Sequence, residues 1–367
     1  GNDTGVGLDH FECSLDGVSF TLCTSPVELK NLADGAHTLE VQSKDKVGNV
    51  DTTPASFAWR IDTTPPTTSI GSAVDGNKTA ISNSSSTRSN SVTFAFSGKD
   101  NGKEEVKRFE CSMDNSEFAS CTSPFSFHKL TDSTHTFKVR AVDNSGNRDN
   151  TPELFTWRVD TTAPSSSIIA ATDGNNKTIP AGGDTTSTKT VFGFSGNDTG
   201  GVGIDHFECS IDGVSFATCT SPVQFNSLPD GAHTVQVRSQ DRVGNKDSSP
   251  ASFSWRVDTT APTTKMDSAT DGSKNAITNG GSTKSTSMRF TFSGNDTGGV
   301  GIGHFSCSID KSDFVTCTSP YTVPKPLIDG AHTFNVMSED KVGNKDPSPA
   351  SLSWTVDTAA PSTKIDS

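Results

Sequence analysis

The chain has 367 residues, of which only 31% are apolar, below the roughly 45–50% of average globular domains even after glycine is allowed for. Asp and Glu total 43 against 30 Lys and Arg, a formal net charge of −13. That balance excludes the basic footprint of a nucleic-acid binder and favours cations. No run of about 18 apolar residues occurs, so no transmembrane helix is expected.

Taken from its start, the chain opens in the middle of a pattern. Gly1-Asn-Asp-Thr-Gly5 recurs at Gly196–Gly200. The chain therefore reads as a window of a longer periodic protein, and a missing signal peptide says nothing. Next comes FECSLDGVSFTLCTSP from Phe11, and its relatives start at Phe109, Phe207 and Phe305. Their first cysteines, Cys13, Cys111, Cys209 and Cys307, stand 98 residues apart. Each has a second cysteine ten residues on: Cys23, Cys121, Cys219 and Cys317. A fixed period of this size means an array of like modules.

The period divides the chain into an incomplete repeat at 1–64, full repeats at 65–162, 163–260 and 261–359, and the first strand of a further repeat at 360–367. The last full repeat is one residue longer, since Trp255 and Trp354 are 99 apart. The extra residue is expected near Val323-Pro-Lys-Pro-Leu327.

Within 65–162 apolar residues alternate with polar ones. Val92, Phe94 and Phe96 form one run, and Phe109, Cys111 and Met113 a second. Phe125 and Phe127 follow, then Phe137 and Val139, then Phe155, Trp157 and Val159. Period two with one apolar face predicts half-buried antiparallel strands. A first strand near 67–71 and a short one near 117–121 bring the number to about seven. Asp-Gly and Gly-Asn pairs mark turns between them. Seven short strands in about 100 residues predict an all-β, seven-stranded immunoglobulin-like sandwich in tandem.

The segment Leu32–Val41 resembles the fibronectin type III strand on which a tyrosine closes a corner by bonding back to backbone. His37, His135, His233 and His332 take that place here, on the parity of the inward residues, and are expected to be structural. His10, His206 and His304 have the opposite parity, with Arg108 in the remaining copy, and are expected to face solvent. Each repeat then carries Asp-x-x-Gly-Asn, as in Asp45–Asn49, and a Trp-x-Val/Ile-Asp-Thr segment ending in proline. Together with the Cys-x9-Cys hairpin these motifs resemble the immunoglobulin-like repeats of large bacterial and archaeal surface proteins. The resemblance implies an adhesin, stalk, S-layer or filament component, and fold analogy alone does not choose among them.

Catalysis is not expected. Every Ser, His and Asp that could serve recurs as scaffold, and no glycine-rich phosphate loop precedes a helix. Two cysteines nine residues apart supply half a zinc site, and no partner pair follows at short spacing. A disulfide across each Cys-x9-Cys hairpin is expected instead, stapling one sheet locally rather than joining two. Paired cysteines point to an oxidising, extracellular surface location.

Calcium is the sharper expectation. In a tandem sandwich each linker meets two loops of the next repeat. This groups Asp62 with Asp100, Asp143 and Asp149. It groups Asp160 with Asp198, Asp241 and Asp247, and Asp258 with Asp296, Asp340 and Asp346. Three or four carboxylates suit a hard cation that takes six to eight oxygens. Asp, Asn and Gly are also ordinary turn formers. Glycosylation sequons at Asn2, Asn77, Asn83, Asn176, Asn197 and Asn295 are about as many as chance supplies, and Asn197 and Asn295 would compete with calcium.

The expected role is a semi-rigid extracellular rod or filament at the cell surface, with neighbouring repeats as partners. One alternative is an adhesin whose repeats bind glycan or protein. Against it stand a single tyrosine and tryptophans on core-facing positions. The second alternative is a filament subunit assembled by donated strands.

Overall fold

The computed structural model describes residues 4–101 and 105–364. It divides into two compact units, Gly1–Thr162 with Gly200–Val202, and Ala163–Thr199 with Gly203–Ser367. Among the described residues every regular element is a strand, and no helix is long and apolar enough to cross a membrane.

The first unit opens with one four-stranded antiparallel sheet. Its strands are β1 (Leu8–Leu15), β2 (Thr21–Cys23), β3 (Gly35–Asp45) and β4 (Ala55–Ile61), in the order β2-β1-β3-β4. Then follow β5 (Thr67–Asp75), β6 (Ser86–Thr87), β7 (Val92–Lys99), β8 (Val106–Met113), β9 (Ala119–Cys121), β10 (Phe125–Phe127), β11 (Thr134–Asp143) and β12 (Glu153–Val159). These eight make a three-stranded sheet, β10-β7-β5, and a five-stranded sheet, β6-β12-β11-β8-β9.

The alternation explains why the two sheets stack. Val92, Phe94 and Phe96 of β7 meet Phe137, Val139, Phe155, Trp157 and Val159 of the larger sheet in one buried cluster. Phe94 has Phe155 and Trp157 each at 5.2 Å between ring centroids. This is the expected sandwich, with one strand more than the alternation predicts. The addition is β6, which pairs parallel to β12 through Ser86↔Arg158 and Thr87↔Val159. Two polar residues carry no period, so their pairing leaves no trace in the sequence.

The second unit repeats this plan twice. Three-stranded sheets form from Ser165–Asp173, Thr190–Asn197 and Val223–Phe225, and from Thr263–Asp271, Met288–Asn295 and Tyr321–Thr322. Each sits with its own five-stranded sheet and its own core. The extra residue of the last full repeat lies between Cys317 and Leu327. Leu327 N–H donates to Thr286 O as Leu228 does to Thr188 O, but from ten rather than nine residues beyond the cysteine. Pro324 and Pro326 cannot donate to a ladder, and the strand there shortens to two residues.

All four cysteine pairs are bridged, with Cα atoms 5.8 Å apart. Both ends of each bridge lie in one sheet, as in β8 and β9. In the loop-entropy model so short a loop contributes about 2–3 kcal/mol.

Burial depends on a facing sheet. Trp157, Trp255 and Trp354 are buried, and Trp59 is only half-buried. Phe57 is 68% exposed where its counterpart Phe155 is 8% exposed. The inward expectation for Trp59 is thus only partly met, because among the described residues no second sheet covers β1–β4. Residues 360–364 are irregular, and 365–367 lie outside the described residues. The strand expected at 360–367 is absent over 360–364, because no described strand supplies a ladder for it.

The corner histidines are buried and bonded at both ring nitrogens. Nε2 of His37, His135, His233 and His332 lies 2.7–2.9 Å from the carbonyl oxygen of Ala33, Thr131, Pro229 and Ile328, four residues upstream. This is the corner bond expected. Nδ1 in turn lies 2.6–2.9 Å from a carboxylate of Asp16, Asp114, Asp212 or Asp310 in the cysteine hairpin. His10 and His206 pair with the adjacent Asp9 and Asp205, and His304 with Glu339. Arg108 pairs with Glu110.

Candidate cation sites at the repeat junctions

Each junction begins with a turn that makes its own cage. Asp143 ends β11, and its Oδ1 accepts the amides of Gly146 at 2.7 Å and Asn147 at 2.8 Å. Gly146 has φ of 95°, which favours glycine. Asn147 Nδ2 donates to Asp143 Oδ2 and also to the carbonyl of Asp62, both at 2.9 Å. One side chain therefore ties the loop to the linker. This gives the Asp-x-x-Gly-Asn spacing a physical reason.

Asp62 enters from the end of β4 and Asp100 from the end of β7. One oxygen from each of Asp62, Asp100 and Asp143 lies within 4.8 Å of the others. Asp62 Oδ1 accepts the Thr64 amide at 3.0 Å, while its Oδ2 is buried with no hydrogen-bond partner. Asp62 is 8% and Asp143 0% exposed.

The second unit builds the same group from Asp258, Asp296 and Asp340, again within 4.8 Å. Asp340 Oδ1 accepts the amides of Val342, Gly343 and Asn344. Asn344 Nδ2 reaches Asp340 Oδ2 at 2.7 Å and Asp258 O at 3.0 Å. Asp258 Oδ2 accepts Val300 N–H at 2.8 Å, and Asp296 Oδ2 accepts Gly301 N–H at 2.6 Å. Asp296 Oδ1 is buried without a donor.

Three carboxylates at this separation fit a hard dication. Oxygens 2.3–2.6 Å from calcium lie up to about 5 Å from one another. Without a cation, three like charges in a site with little water repel. The backbone amides and Asn147 or Asn344 offset part of that cost, and the two buried oxygens without donors are where a cation would add most.

Asp160, Asp198 and Asp241 fall in both units. In the first unit Asp160 Oδ2 accepts Val202 N–H at 2.7 Å. In the second, Asp198 Oδ2 accepts Gly203 N–H at 2.6 Å, and Asp241 repeats the Asn245 cage.

Asp149, Asp247 and Asp346 do not join these groups. Asp149 accepts Thr151 N–H on Oδ1 and Thr68 Oγ1–H on Oδ2. Asp346 accepts the amides of Ser348 and Thr264 in the same way. Asp247 accepts Ser249 N–H, and its Oδ2 is buried without a partner. Asp149 and Asp346 are turn acceptors that also fasten the first strand of the repeat. Spacing alone does not separate that task from cation binding.

A further aspartate, missing from the sequence reading, grips the linker. Asp34 accepts Thr63 N–H at 3.1 Å, Thr63 Oγ1–H at 2.8 Å and Thr64 Oγ1–H at 2.9 Å. Asp132 holds Thr161 and Thr162 alike, Asp230 holds Thr259 and Thr260, and Asp329 holds Thr358. The bonds from Thr63 and Thr64 hold the Asp34 carboxyl below its ordinary value. For Asp230 the threonine bonds, led by Thr260, outweigh burial to the same effect. Three of the four stand as Asp-Gly before the corner histidine, Asp34-Gly35, Asp230-Gly231 and Asp329-Gly330, where the pair reads simply as a turn.

Of the sequons, Asn77, Asn83, Asn176, Asn197 and Asn295 are exposed, and Asn2 lies outside the described residues. Asn83 Oδ1 accepts Thr156 N–H at 2.7 Å, so its amide has a structural task.

The model of the bacterial Ig-like domain (group 3) matches residues 23–93 and 220–284. No curated protein matches. Among solved structures, a tetra-tandem repeat from the extending region of a large adhesion protein is 17% identical. It covers 97% of this chain and 94% of its own, with a TM-score of 0.34. The fibronectin(III)-like modules of Clostridium thermocellum CbhA are also 17% identical, covering 52% of this chain and 93% of theirs, with a TM-score of 0.29. Titin domains A168–A170 are 14% identical over 79% of this chain and 97% of theirs, with a TM-score of 0.32. The chain is a tandem array of immunoglobulin-like repeats, similar over those two stretches to the bacterial Ig-like domain of group 3.

Proposed function

We propose that the chain is a non-catalytic, extracellular structural array whose repeat junctions are stiffened by calcium. The carrying observation is the carboxylate triad at Asp62, Asp100 and Asp143, repeated at Asp258, Asp296 and Asp340, each with one buried oxygen that lacks a donor. Four disulfides support an oxidising compartment. Within each repeat the linker is already gripped by an aspartate, so a cation would act on a nearly ordered joint and meet little entropic opposition. Projecting or connecting at a cell surface is the role that suits such joints.

Calorimetric titration and thermal melting with Ca²⁺ and with chelator test this reading. Free Ca²⁺ at about 100 times Kd is expected to add about 2.7 kcal/mol per coupled site. Small-angle scattering is expected to show a narrower spread of dimensions with the ion bound. An unchanged melting temperature and scattering profile in millimolar Ca²⁺ would sink the proposal.

A further inference from the structure

We propose that a corner histidine, His37 or His332, is a proton-operated brace on the linker that follows its repeat. As the imidazolium it holds the loop whose aspartate grips the linker threonines, and on losing its proton it lets that loop go.

Both ring nitrogens of His37 and of His332 face atoms that can only accept. Nε2 of His37 lies 2.7 Å from a backbone carbonyl and Nδ1 lies 2.8 Å from a carboxylate. A neutral ring has one N–H and would leave one of these contacts as two facing lone pairs. The doubly protonated ring satisfies both, and the same geometry occurs in all four copies. In each copy the one charged group bonded to the ring is the hairpin aspartate, Asp16, Asp114, Asp212 or Asp310. The other neighbours are neutral. A tryptophan covers the ring at 5.6–5.7 Å, and Ser133 Oγ lies 3.2 Å from His135 Nε2.

The mechanical link is one residue long. The carbonyl held by His37 belongs to Ala33, and the next residue, Asp34, grips Thr63 and Thr64. Thr131 and Asp132, Pro229 and Asp230, and Ile328 and Asp329 repeat that adjacency. Freeing the carbonyl frees the grip.

The sign follows from the bonds. The Ala33 carbonyl, then Asp16, raise the His37 pKa. Burial pulls the His332 pKa down, but Ile328 O and Asp310 outweigh it and leave it raised. A raised histidine contributes fully below its ordinary value of about 6.5 and loses the contribution as pH rises through the higher folded value. The brace therefore weakens on the alkaline side.

Histidine ¹⁵N–¹H correlation spectra of the whole chain, followed upward from the ordinary value of about 6.5, test the proton on His37 and His332, and solvent-exchange protection of the Thr63 and Thr358 amides tests the grip. Expected are His37 and His332 rings with both nitrogens protonated at about pH 6.5, and about tenfold loss of amide protection in step with their titration. In His332→Gln, protection at Thr358 should no longer follow this titration, while Thr63 keeps its response. Neutral rings at about pH 6.5 would overturn the proposal. Rings that titrate while protection stays constant would also overturn it, as would an unaltered response at Thr358 in the variant. Should that variant fail to fold, the wild-type titration alone decides.

Discussion

Phe94 and Phe137 stack with ring centroids 4.5 Å apart, and they come from opposite sheets of one repeat. Phe290 and Phe334 repeat the pair at 4.0 Å. In the repeat between them Val235 takes the second place, fully buried against the same core. Each full repeat is thus fastened through its middle by one side chain from each sheet. Phe94→Ala would leave a ring-sized cavity, and the expected loss is about 3–5 kcal/mol. Urea unfolding followed by tryptophan fluorescence checks it.

The cysteine bridge confines a short hairpin within one sheet. Replacing Cys111 and Cys121 together by serine is expected to cost about 2–3 kcal/mol. The melt should resolve one weakened repeat while the other three repeats keep their transitions, since repeats of an array unfold with partial independence. Differential scanning calorimetry separates these outcomes.

Asp296 Oδ1 is buried without a donor, so it adds charge to its group and receives no hydrogen bond. Asp296→Asn is expected to lower the calcium stoichiometry by one. Metal-free stability should stay within about 1 kcal/mol, because relief of like-charge repulsion offsets the altered bond to Gly301. Isothermal titration calorimetry gives the first number and chelated melts the second.

Glu110 faces three guanidinium groups. Burial works to raise its pKa, but bonds from Arg148, Arg108 and Arg140 prevail and hold it at about 2. A lowered carboxylate contributes above its ordinary value and loses that contribution as pH falls through the folded one. The stability of this repeat should therefore decline from about pH 4.5 toward pH 2. Glu110→Gln should remove that decline and cost about 1.5–3 kcal/mol at neutral pH. Acid titration followed by circular dichroism on both proteins tests the pair of outcomes.

The sandwich was legible because its core is written in a period of two. Phe94, Phe96, Phe137, Val139 and Trp157 all point inward as their alternation requires. The strand Ser86–Thr87 was illegible, since two polar residues have no period and gain their place only from β12. The bond between His37 and Asp16 spans 21 residues and appears only once the hairpin has folded against β3. At the candidate sites, Asp62, Asp100 and Asp143 do converge. Asp149 shares their composition and loop, yet turns to Thr68, a choice of side-chain direction that no spacing encodes. Trp59 shows a related limit, because burial belongs to a pair of sheets and not to a residue.

The parallel pairing of β6 with β12 has a mechanical consequence. Tension along the polypeptide pulls the amino end of a repeat one way and its carboxyl end the other. Arg158 N–H bonds to Ser85 O and Asp160 N–H bonds to Thr87 O, both at 2.9 Å, directly across that line of pull. Parallel neighbours drawn from opposite ends slide along each other, so these bonds are loaded in shear and must break together, whereas a hairpin pulled at its open end unzips one bond at a time. Each full repeat is built to yield late under load.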